Sequence, residues 1–216
     1  MATSTRGADH LKALSTIEMM GLVNVALPVF GSEEAANPEN PYLVGCVSAW
    51  EENRTTAMNC SGLCIFNTAT FTYTGPDTEL VREALIAVTG RDPGDLLVVG
   101  ERVYNLEKAF NSRLHMTREH DTLCEAWMYE PIPEGKPGAG KKAADHLDMW
   151  LDEYYDYRRW DKKNGLQTMD CLLELGLEDI ADVLLKEGVV SKERPLPREK
   201  ILKDRVQKAE EFKDKK

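Results

Sequence analysis

Apolar residues recur at steps of three and four along most of the chain, the spacing that places side chains on one face of an α-helix. In the clearest segment, Asp77 or Thr78 can cap the helix and Gly90 can end it. The apolar face of this helix holds Leu80, Val81, Ala84, Leu85 and Val88. No convincing run of alternating apolar and polar residues predicts a β-strand, so the pattern predicts an all-α fold.

A second helix is predicted to begin at Asp92 and Pro93, a capping residue followed by proline at the first helical position. Its predicted buried stripe holds Leu96, Val103, Tyr104, Glu107 and Phe110. Gly100 interrupts this helix, and an interior glycine costs up to about 1 kcal/mol relative to alanine. We therefore expect another helix to approach its backbone closely at Gly100.

The same periodicity predicts helices over residues 9–20, 42–58, 143–159, 169–175 and 177–185. Thr168 is the predicted cap of the helix over residues 169–175. The run of prolines and glycines at residues 131–140 predicts a surface loop, because neither residue suits the interior of a helix. After residue 190 the apolar pattern thins and charged residues dominate. The chain is therefore expected to form a helical domain over residues 1–190 and a solvated, charged tail over residues 191–216.

Charge and composition argue against two classes of partner. The formal net charge of −10 disfavours nucleic acid, whose phosphate backbone attracts lysine and arginine. No apolar run approaches the roughly 20 residues that span a bilayer, and the first residues contain no apolar signal core. We therefore expect a cytoplasmic protein without a membrane partner.

The five cysteines are odd in number and scattered along the chain, which favours reduced thiols over a disulfide framework. Free cysteines most often pack as small buried hydrophobic residues. This packing role is expected of Cys46, Cys60, Cys124 and Cys171.

Four motifs carry a resemblance to a known family. They are TRGADHL at residues 5–11, NCSGLCIF at 59–66, GERVYNLEKAFN at 100–111 and YYDYRRWD at 154–161. In this order and at this spacing, they resemble the carboxy-terminal part of the tungsten-containing aldehyde ferredoxin oxidoreductases. The resemblance implies the final helical domain of that family, a multihelical orthogonal bundle.

The resemblance also implies an activity. Members of this family oxidise aldehydes to carboxylic acids at a tungsten (or molybdenum) pterin and pass the electrons through a [4Fe-4S] cluster to ferredoxin. Their amino-terminal part supplies the pterin-binding sheet domain and three clustered cysteines, which have no counterpart in this sequence. We therefore expect the chain to share tungstopterin and cluster with an amino-terminal polypeptide, and to carry neither cofactor nor activity alone.

The resemblance assigns roles to five residues. The family's Asp-x-x-Gly-Leu-Cys loop contacts a pterin, and its cysteine is the fourth cluster ligand; Gly62, Leu63 and Cys64 match it. Asn59 stands where the family has aspartate, and its neutral amide is a weaker acceptor for pterin N–H donors. His10 matches a histidine near the substrate, where it would hydrogen-bond a carbonyl group or shuttle a proton.

Structural interpretations of the same residues stay open. Cys64 is equally compatible with an inert thiol, and His10 with a solvent-facing residue in the first turn of a helix. The aromatic residues between Trp150 and Trp160 favour packing over ligand binding. The substitution at Asn59 also favours an alternative function, a non-catalytic helical interaction module derived from the family.

A metal-dependent enzyme is the third alternative. His115, His120 and Asp121 lie close together in sequence and carry metal-ligating groups. The resemblance instead aligns this segment with a family loop that follows the long helix, where Arg113 and Arg118 are expected to form salt bridges.

Overall fold

The computed structural model describes residues 1–68, 77–136 and 138–215. Over these ranges the protein consists of ten α-helices and four short 3₁₀ helices, and pairing between extended segments is limited to three isolated bridges. The prediction of an all-α fold is confirmed. The α-helices are α1 Thr16–Met20, α2 Val23–Phe30, α3 Val44–Cys60, α4 Thr78–Thr89, α5 Leu96–Arg113, α6 Glu125–Tyr129, α7 Leu147–Arg158, α8 Met169–Glu174, α9 Glu178–Glu187 and α10 Arg198–Lys213. The 3₁₀ helices are Glu33–Ala36, Ile65–Asn67, Arg118–His120 and Ala143–Asp145.

Helix α3 packs against both α5 and α7, and glycines allow the backbones to meet at both contacts. A Cβ atom at Gly100 would lie 1.9 Å from the carbonyl oxygen of Asn53. A Cβ atom at Gly45 would lie 2.5 Å from the carbonyl oxygen of Trp150. Neither position has room for a side chain, so the close approach predicted at Gly100 is confirmed and Gly45 makes a second one.

The core consists of three groups of buried apolar side chains. The first joins mainly α2, α3, α7 and α10, and the third joins α5 to α8 and α9. The second lies at the C-terminal end of α3 and contains Leu14, Ala57, Met58, Ile65, Val81 and Leu96. This second core group fixes the segment that follows α3 against α4 and the start of α5.

Most predicted helices are present with small changes at their ends. The helices predicted over residues 42–58, 143–159, 169–175 and 177–185 correspond to α3, α7, α8 and α9. Asp77 and Thr168 cap α4 and α8 through their side chains, as predicted. The loop predicted at residues 131–140 is confirmed on both sides of residue 137, which lies outside the described part.

The helix predicted over residues 9–20 is wrong over residues 9–15, and only the part that forms α1 is helical. The carboxylate of Asp9 accepts a hydrogen bond of 2.8 Å from the backbone N–H of Leu11, which stabilises a turn in place of a helix. The carbonyl oxygen of Ala13 then accepts a hydrogen bond of 3.0 Å from the hydroxyl of Thr55. A tertiary contact to α3 therefore engages the Ala13 carbonyl group.

Helix α5 begins at Leu96 with Asp95 as its cap, and the predicted start at Asp92 is wrong. The carboxylate of Asp92 instead accepts hydrogen bonds of 2.8 and 2.5 Å from the guanidinium of Arg82. Because Asp92 is held by α4, the capping role passes to the next aspartate along the chain.

The charged segment after residue 190 is not solvated as expected, because α10 packs on the core. Ile201 is 4% exposed and Ala209 is fully buried. The carbonyl oxygen of Ala209 accepts a hydrogen bond of 3.0 Å from Asn40, and Arg205 pairs with Asp156 at 3.1 Å. Leu202 and Val206 also pack against the first core group, so a short apolar face docks this highly charged helix. The domain boundary at residue 190 stays a prediction.

The cysteines divide into two classes. Cys46 and Cys171 are buried, as expected of packing residues. Cys60 and Cys124 are exposed, so the packing role expected of them is wrong. Cys60 lies at the last turn of α3 and Cys124 directly precedes α6, and in both places the side chain lies at the surface. None of the helices in the described ranges is both long enough and apolar enough to cross a bilayer.

Candidate functional site

The loop at residues 59–64 is the C-terminal cap of α3. Gly62 has φ +75°, and its N–H donates to the carbonyl oxygen of Asn59 at 3.1 Å. The N–H of Leu63 donates to the carbonyl oxygen of Met58 at 3.2 Å. These two bonds around a left-handed glycine form a Schellman motif. Glycine is therefore required at position 62 by the backbone, whatever the loop binds.

Four side chains of this loop, including that of Cys60, face solvent. Asn59, Leu63 and Cys64 are exposed, whereas the next residue, Ile65, is buried in the second core group. The buried hydroxyl of Thr68 donates a hydrogen bond of 2.7 Å to the carbonyl oxygen of Ile65. The helix cap anchors one end of the loop and Ile65 anchors the other, so the thiol of Cys64 is presented outward from an anchored backbone.

His10 is exposed and lies in a turn held by Asp9. The Asp9 carboxylate accepts hydrogen bonds from the N–H of Leu11 at 2.8 Å and from the guanidinium of Arg6 at 2.6 Å. Burial opposes ionisation of Asp9, but these hydrogen bonds outweigh it and lower the pKa of the carboxyl. His10 therefore faces solvent, as expected if it has only a structural role, but it lies in a turn and not in the first turn of a helix.

The His10 turn and the Cys64 loop are anchored in the same part of the core. Leu11 packs against the second core group, and Ile65 is one of its members. Each candidate residue thus directly precedes an apolar residue that belongs to, or packs against, the second core group. The fold brings together two motifs that lie far apart in the sequence.

Comparison with protein-family models identifies the domain that presents this pair of motifs. A model described as aldehyde ferredoxin oxidoreductase, domains 2 and 3, matches residues 1–177. The chain belongs to this family. The resemblance carried by the four sequence motifs is confirmed.

Curated members of the family are similar over much of the chain. The tungsten-containing aldehyde ferredoxin oxidoreductases of Pyrococcus horikoshii and Pyrococcus abyssi are each 31% identical over 182 residues, which is 82% of this chain and 27% of theirs. The enzyme of the same description from Pyrococcus furiosus is 32% identical over 131 residues, which is 59% of this chain and 20% of its own. This chain therefore spans about a quarter of the length of the first two relatives. No solved structure matches it.

The exposed thiols can be compared with the ligands that an iron–sulfur cluster requires. A [4Fe-4S] cluster requires four ligands, usually thiolates. Cys64 and Cys60 offer exposed thiols, but no group of three His, Cys, Asp or Glu side chains in the described ranges is arranged to hold a metal. The loop suits a single ligand of a cluster whose other ligands come from elsewhere.

The family loop that follows α5 is held by ion pairs. Arg113 pairs with Glu187 at 2.8 Å, and Arg118 pairs with Asp152 at 2.7 Å. The predicted roles of both arginines are confirmed. The first pair ties the last residue of α5 to α9, and the second ties the following loop to α7.

The alternative metal site in this loop is not supported. Nδ1 of His120 accepts a hydrogen bond of 3.1 Å from the N–H of Thr117, and the carboxylate of Asp121 accepts one from the hydroxyl of Tyr155. His115 has φ +61° and lies in the turn after α5. The candidate ligands are engaged with the surrounding fold and do not converge.

The buried face of α5 differs from the predicted apolar stripe. Phe110 is 63% exposed, whereas Asn105 is fully buried and Lys108 is 5% exposed. The spacing of Glu101, Asn105 and Lys108 is also helical, so their common face was visible in the sequence. Sequence reasoning missed it because polar residues on one face ordinarily indicate solvent.

These polar residues lie inside because other elements supply their partners. The carboxylate of Glu101 accepts a hydrogen bond of 2.6 Å from Arg198, and Oδ1 of Asn105 accepts one of 3.0 Å from the indole N–H of Trp160.

A buried arginine, Arg158, lies close to the same helix. The guanidinium of Arg158 pairs with the carboxylate of Glu52 at 2.7 Å and lies 4.0 Å from the ring centre of Tyr104. Burial opposes the charge on Arg158, but the interactions with Tyr154 and Glu52 outweigh it and raise the pKa of the guanidinium. Tyr154 and Trp160 lie against this charge. Tyr154, Tyr155, Tyr157 and Trp160 all belong to the first core group, which confirms their predicted packing role.

Proposed function

We propose that this domain forms the helical wall of a tungsten (or molybdenum) pterin site in an aldehyde:ferredoxin oxidoreductase. The observation that carries the proposal is the anchored, exposed Cys64 thiol in a chain that belongs to this family. In this role the chain acts with an amino-terminal polypeptide that holds the tungstopterin and the other cluster ligands. The assembled enzyme oxidises aldehydes to carboxylic acids and passes electrons through the cluster to ferredoxin.

Cys64 is the proposed cluster ligand. Its exposure and its position after the α3 cap support this role, because a ligand at an interface must reach beyond its own domain. Cys46 and Cys171 are buried within the helical core, where a cluster shared with another polypeptide has no access. In the assembled enzyme the cluster supplies one-electron transfer between the pterin centre and ferredoxin.

Asn59, Gly62 and Leu63 are the proposed pterin contacts. Gly62 shapes the turn, and the exposed side chains of Asn59 and Leu63 are available to a partner surface. Replacement of Asn59 by aspartate restores the charged acceptor of the family pattern. We expect Asn59→Asp to strengthen pterin retention in the assembled enzyme, measured as tungsten retained after dialysis, and we expect Asn59→Ala to weaken it.

His10 is the proposed catalytic residue. Its exposed ring lies in the turn next to Leu11, which packs against the second core group, and an imidazole ring can both donate and accept a hydrogen bond. In the proposed role it donates a hydrogen bond to the aldehyde carbonyl or transfers a proton. We expect His10→Gln to lower kcat in the assembled enzyme without loss of iron or tungsten.

The decisive experiment is to assemble the complex from chains with and without the Cys64 thiol. The full chain is produced together with an amino-terminal family polypeptide that carries the pterin domain and the three clustered cysteines. We expect a complex that contains iron and tungsten, shows the electron paramagnetic resonance signal of a reduced [4Fe-4S] cluster, and reduces a viologen dye with aldehyde.

Two cysteine variants make the test specific. Cys64→Ser is expected to lose that signal and most of the dye reduction. Cys124→Ser is the matched control, since Cys124 is also exposed but lies before α6, and it is expected to keep both. A Cys64→Ser complex with unchanged iron content and an unchanged electron paramagnetic resonance signal would contradict the proposed role of Cys64.

The second candidate function is a non-catalytic helical interaction module. Asn59 at the aspartate position favours it, because a neutral amide binds pterin N–H donors less strongly. In this role the chain binds a protein partner without tungsten or iron. A colourless, metal-free complex that forms with unchanged affinity in Cys64→Ser and His10→Gln would favour the module over the enzyme.

A further inference from the structure

A cleft separates α6 from the face of the domain formed by α3 and α7. It consists of two adjoining cavities of about 470 and 260 Å³, which share the wall residues Val44, Leu123, Trp127 and Trp150. Of these, Val44 belongs to α3, Trp127 to α6 and Trp150 to α7. The two cavities therefore form one continuous cleft, and apolar side chains line its middle.

Helix α6 faces this cleft without packing against the core. None of its five residues is buried, and Trp127 is 56% exposed although it lines both cavities. Protein interiors leave few voids larger than a water molecule, because dispersion contacts are lost across a gap. An apolar gap of this size beneath a helix is typical of a ligand site.

The two cavities differ in polarity. The smaller one lies between the first three residues and α7, and Leu147 and Leu151 are among its largely apolar wall residues. The larger one is lined at its surface by Lys141 and Lys142. A cleft that is apolar along its length and cationic at one end matches a molecule with an alkyl chain and an anionic head group.

Lys141 and Lys142 are held through their backbone and unpaired at their side chains. The carbonyl oxygen of Lys141 accepts a hydrogen bond of 2.9 Å from the N–H of Ile132, and the N–H of Lys142 donates one of 3.0 Å to the carboxylate of Asp145. Neither ammonium forms an ion pair or a hydrogen bond within the described ranges. Each has three donors, so together they suit an anion with several acceptor oxygens.

Two glutamates also line the larger cavity. Glu39 has a partner of its own, whereas the side chain of Glu130, at the C-terminal end of α6, pairs with no residue in the described ranges. The unpaired groups of the wall, Lys141, Lys142 and Glu130, thus carry two positive charges and one negative charge. Their net positive charge favours an anionic head group, which Glu130 repels.

We propose that this cleft binds a single-chain amphiphile with a phosphate ester head group. The head group lies at Lys141 and Lys142, and the alkyl chain passes Trp127 and Trp150 into the smaller cavity. A phosphate monoester carries about −1.5 to −2 charges at pH 7 and three strong acceptor oxygens, which match two ammonium groups better than a carboxylate does. The occupant is a dissolved amphiphile, because the apolar side chains line a recess between helices. This site does not depend on Cys64, on the pterin or on the proposed oxidoreductase function.

The test is isothermal titration calorimetry of the full chain with octyl, decyl and dodecyl phosphate, each below its micelle concentration. Burial of one CH₂ group strengthens binding about fourfold, so each step of two carbon atoms should lower Kd about fifteenfold. Decanol, which has the chain without the charge, should bind at least about tenfold more weakly than decyl phosphate. Millimolar inorganic phosphate, which has the charge without the chain, should not displace decyl phosphate.

Two aromatic variants locate the alkyl chain. Trp127→Ala should weaken binding of decyl phosphate about tenfold, because the indole lines both cavities. Tyr129→Ala is the matched control on the same helix, since Tyr129 is 62% exposed and lines neither cavity, and it should leave Kd unchanged. Circular dichroism checks that both variants are folded. Equal losses in the two variants would place the ligand outside the cleft and overturn the proposal.

Charge variants locate the head group. The double variant Lys141→Met, Lys142→Met should weaken decyl phosphate about tenfold or more and leave decanol unchanged, whereas Glu130→Gln should strengthen decyl phosphate. Unchanged affinity in the double variant, or equal Kd values for octyl and dodecyl phosphate, would contradict the proposal. Sedimentation with phosphatidic acid vesicles but no binding of the dissolved alkyl phosphates would show a membrane surface as the partner and would also overturn it.

Discussion

The carboxylate of Glu153 accepts a hydrogen bond of 2.7 Å from the backbone N–H of Gly45 at the start of α3. The same carboxylate accepts a second bond of 2.9 Å from the N–H of Leu43. A residue of α7 thus caps the N-terminus of α3, where the unpaired N–H groups and the helix dipole favour a negative charge. The absence of a side chain on Gly45 permits this contact, because a Cβ atom would collide with α7.

Removal of this cap should destabilise the protein strongly. We expect Glu153→Ala to lower the free energy of unfolding by about 2–4 kcal/mol, because it leaves the buried N–H groups of Leu43 and Gly45 unpaired. Urea denaturation followed by circular dichroism measures the change. Asp148→Ala is the control on the same helix, since the Asp148 side chain is 97% exposed, and its cost should stay below about 1 kcal/mol. Equal losses in both variants would contradict the capping role.

Gly100→Ala should force α3 and α5 apart. The added Cβ atom would lie 1.9 Å from the carbonyl oxygen of Asn53. The backbone fixes the positions of the Cβ atom and of this oxygen, so side-chain rotation cannot relieve the clash. We expect a loss of about 3 kcal/mol or more in the free energy of unfolding. Gly135→Ala is the comparison, because its Cβ atom would meet no neighbour and only its φ of +79° opposes alanine, at about 1 kcal/mol. A smaller loss in Gly100→Ala than in Gly135→Ala would be inconsistent with the close contact.

The five thiols should react in two classes with Ellman's reagent. Cys60, Cys64 and Cys124 are exposed and should react quickly in the folded protein. Burial raises the pKa of the Cys171 thiol to about 12 and that of Cys46 well above its usual value, so both should react only on unfolding. Cys64→Ser should remove one fast thiol and leave the slow class unchanged. Fast reaction of all five thiols in native protein would contradict the burial of Cys46 and Cys171.

Glu18 should make the fold less stable as pH rises. Burial, together with the charges of Glu153 and Glu51, raises the pKa of Glu18 to about 8. An unfolded glutamate has a pKa of about 4.3, so between these values the folded protein holds a proton that the unfolded chain has released. The contribution of Glu18 to stability is full below about pH 4.3 and is lost as pH rises toward about 8.

Glu18→Gln tests this dependence because an amide does not titrate. Urea midpoints measured from about pH 5 to about pH 8 should fall less steeply for Glu18→Gln than for the unmodified protein. Glu83→Gln is the control on exposed α4 surface, and its profile should follow that of the unmodified protein. Parallel profiles for all three proteins would show that Glu18 titrates normally.

The candidate site was predictable from the sequence only in part. Gly62, Leu63 and Cys64 follow the family motif, and the left-handed glycine that ends α3 is a local requirement of the backbone. Whether the thiol of Cys64 faces solvent or the core depends on where Ile65 packs, and that contact involves residues from α4 and α5. Local patterns carry no information about such distant partners.

The sequence by itself determined the helical class of the fold, the caps at Asp77 and Thr168, and the close contact at Gly100, because each follows from the spacing or backbone freedom of nearby residues. The tertiary structure alone decided that α10 docks on the core, that Cys60 and Cys124 are exposed, and that Lys108 lies beneath the first residues of the chain. Burial of a polar or charged group depends on partners supplied by other helices, as Glu52 is supplied to Arg158. Periodicity alone assigns such residues to solvent.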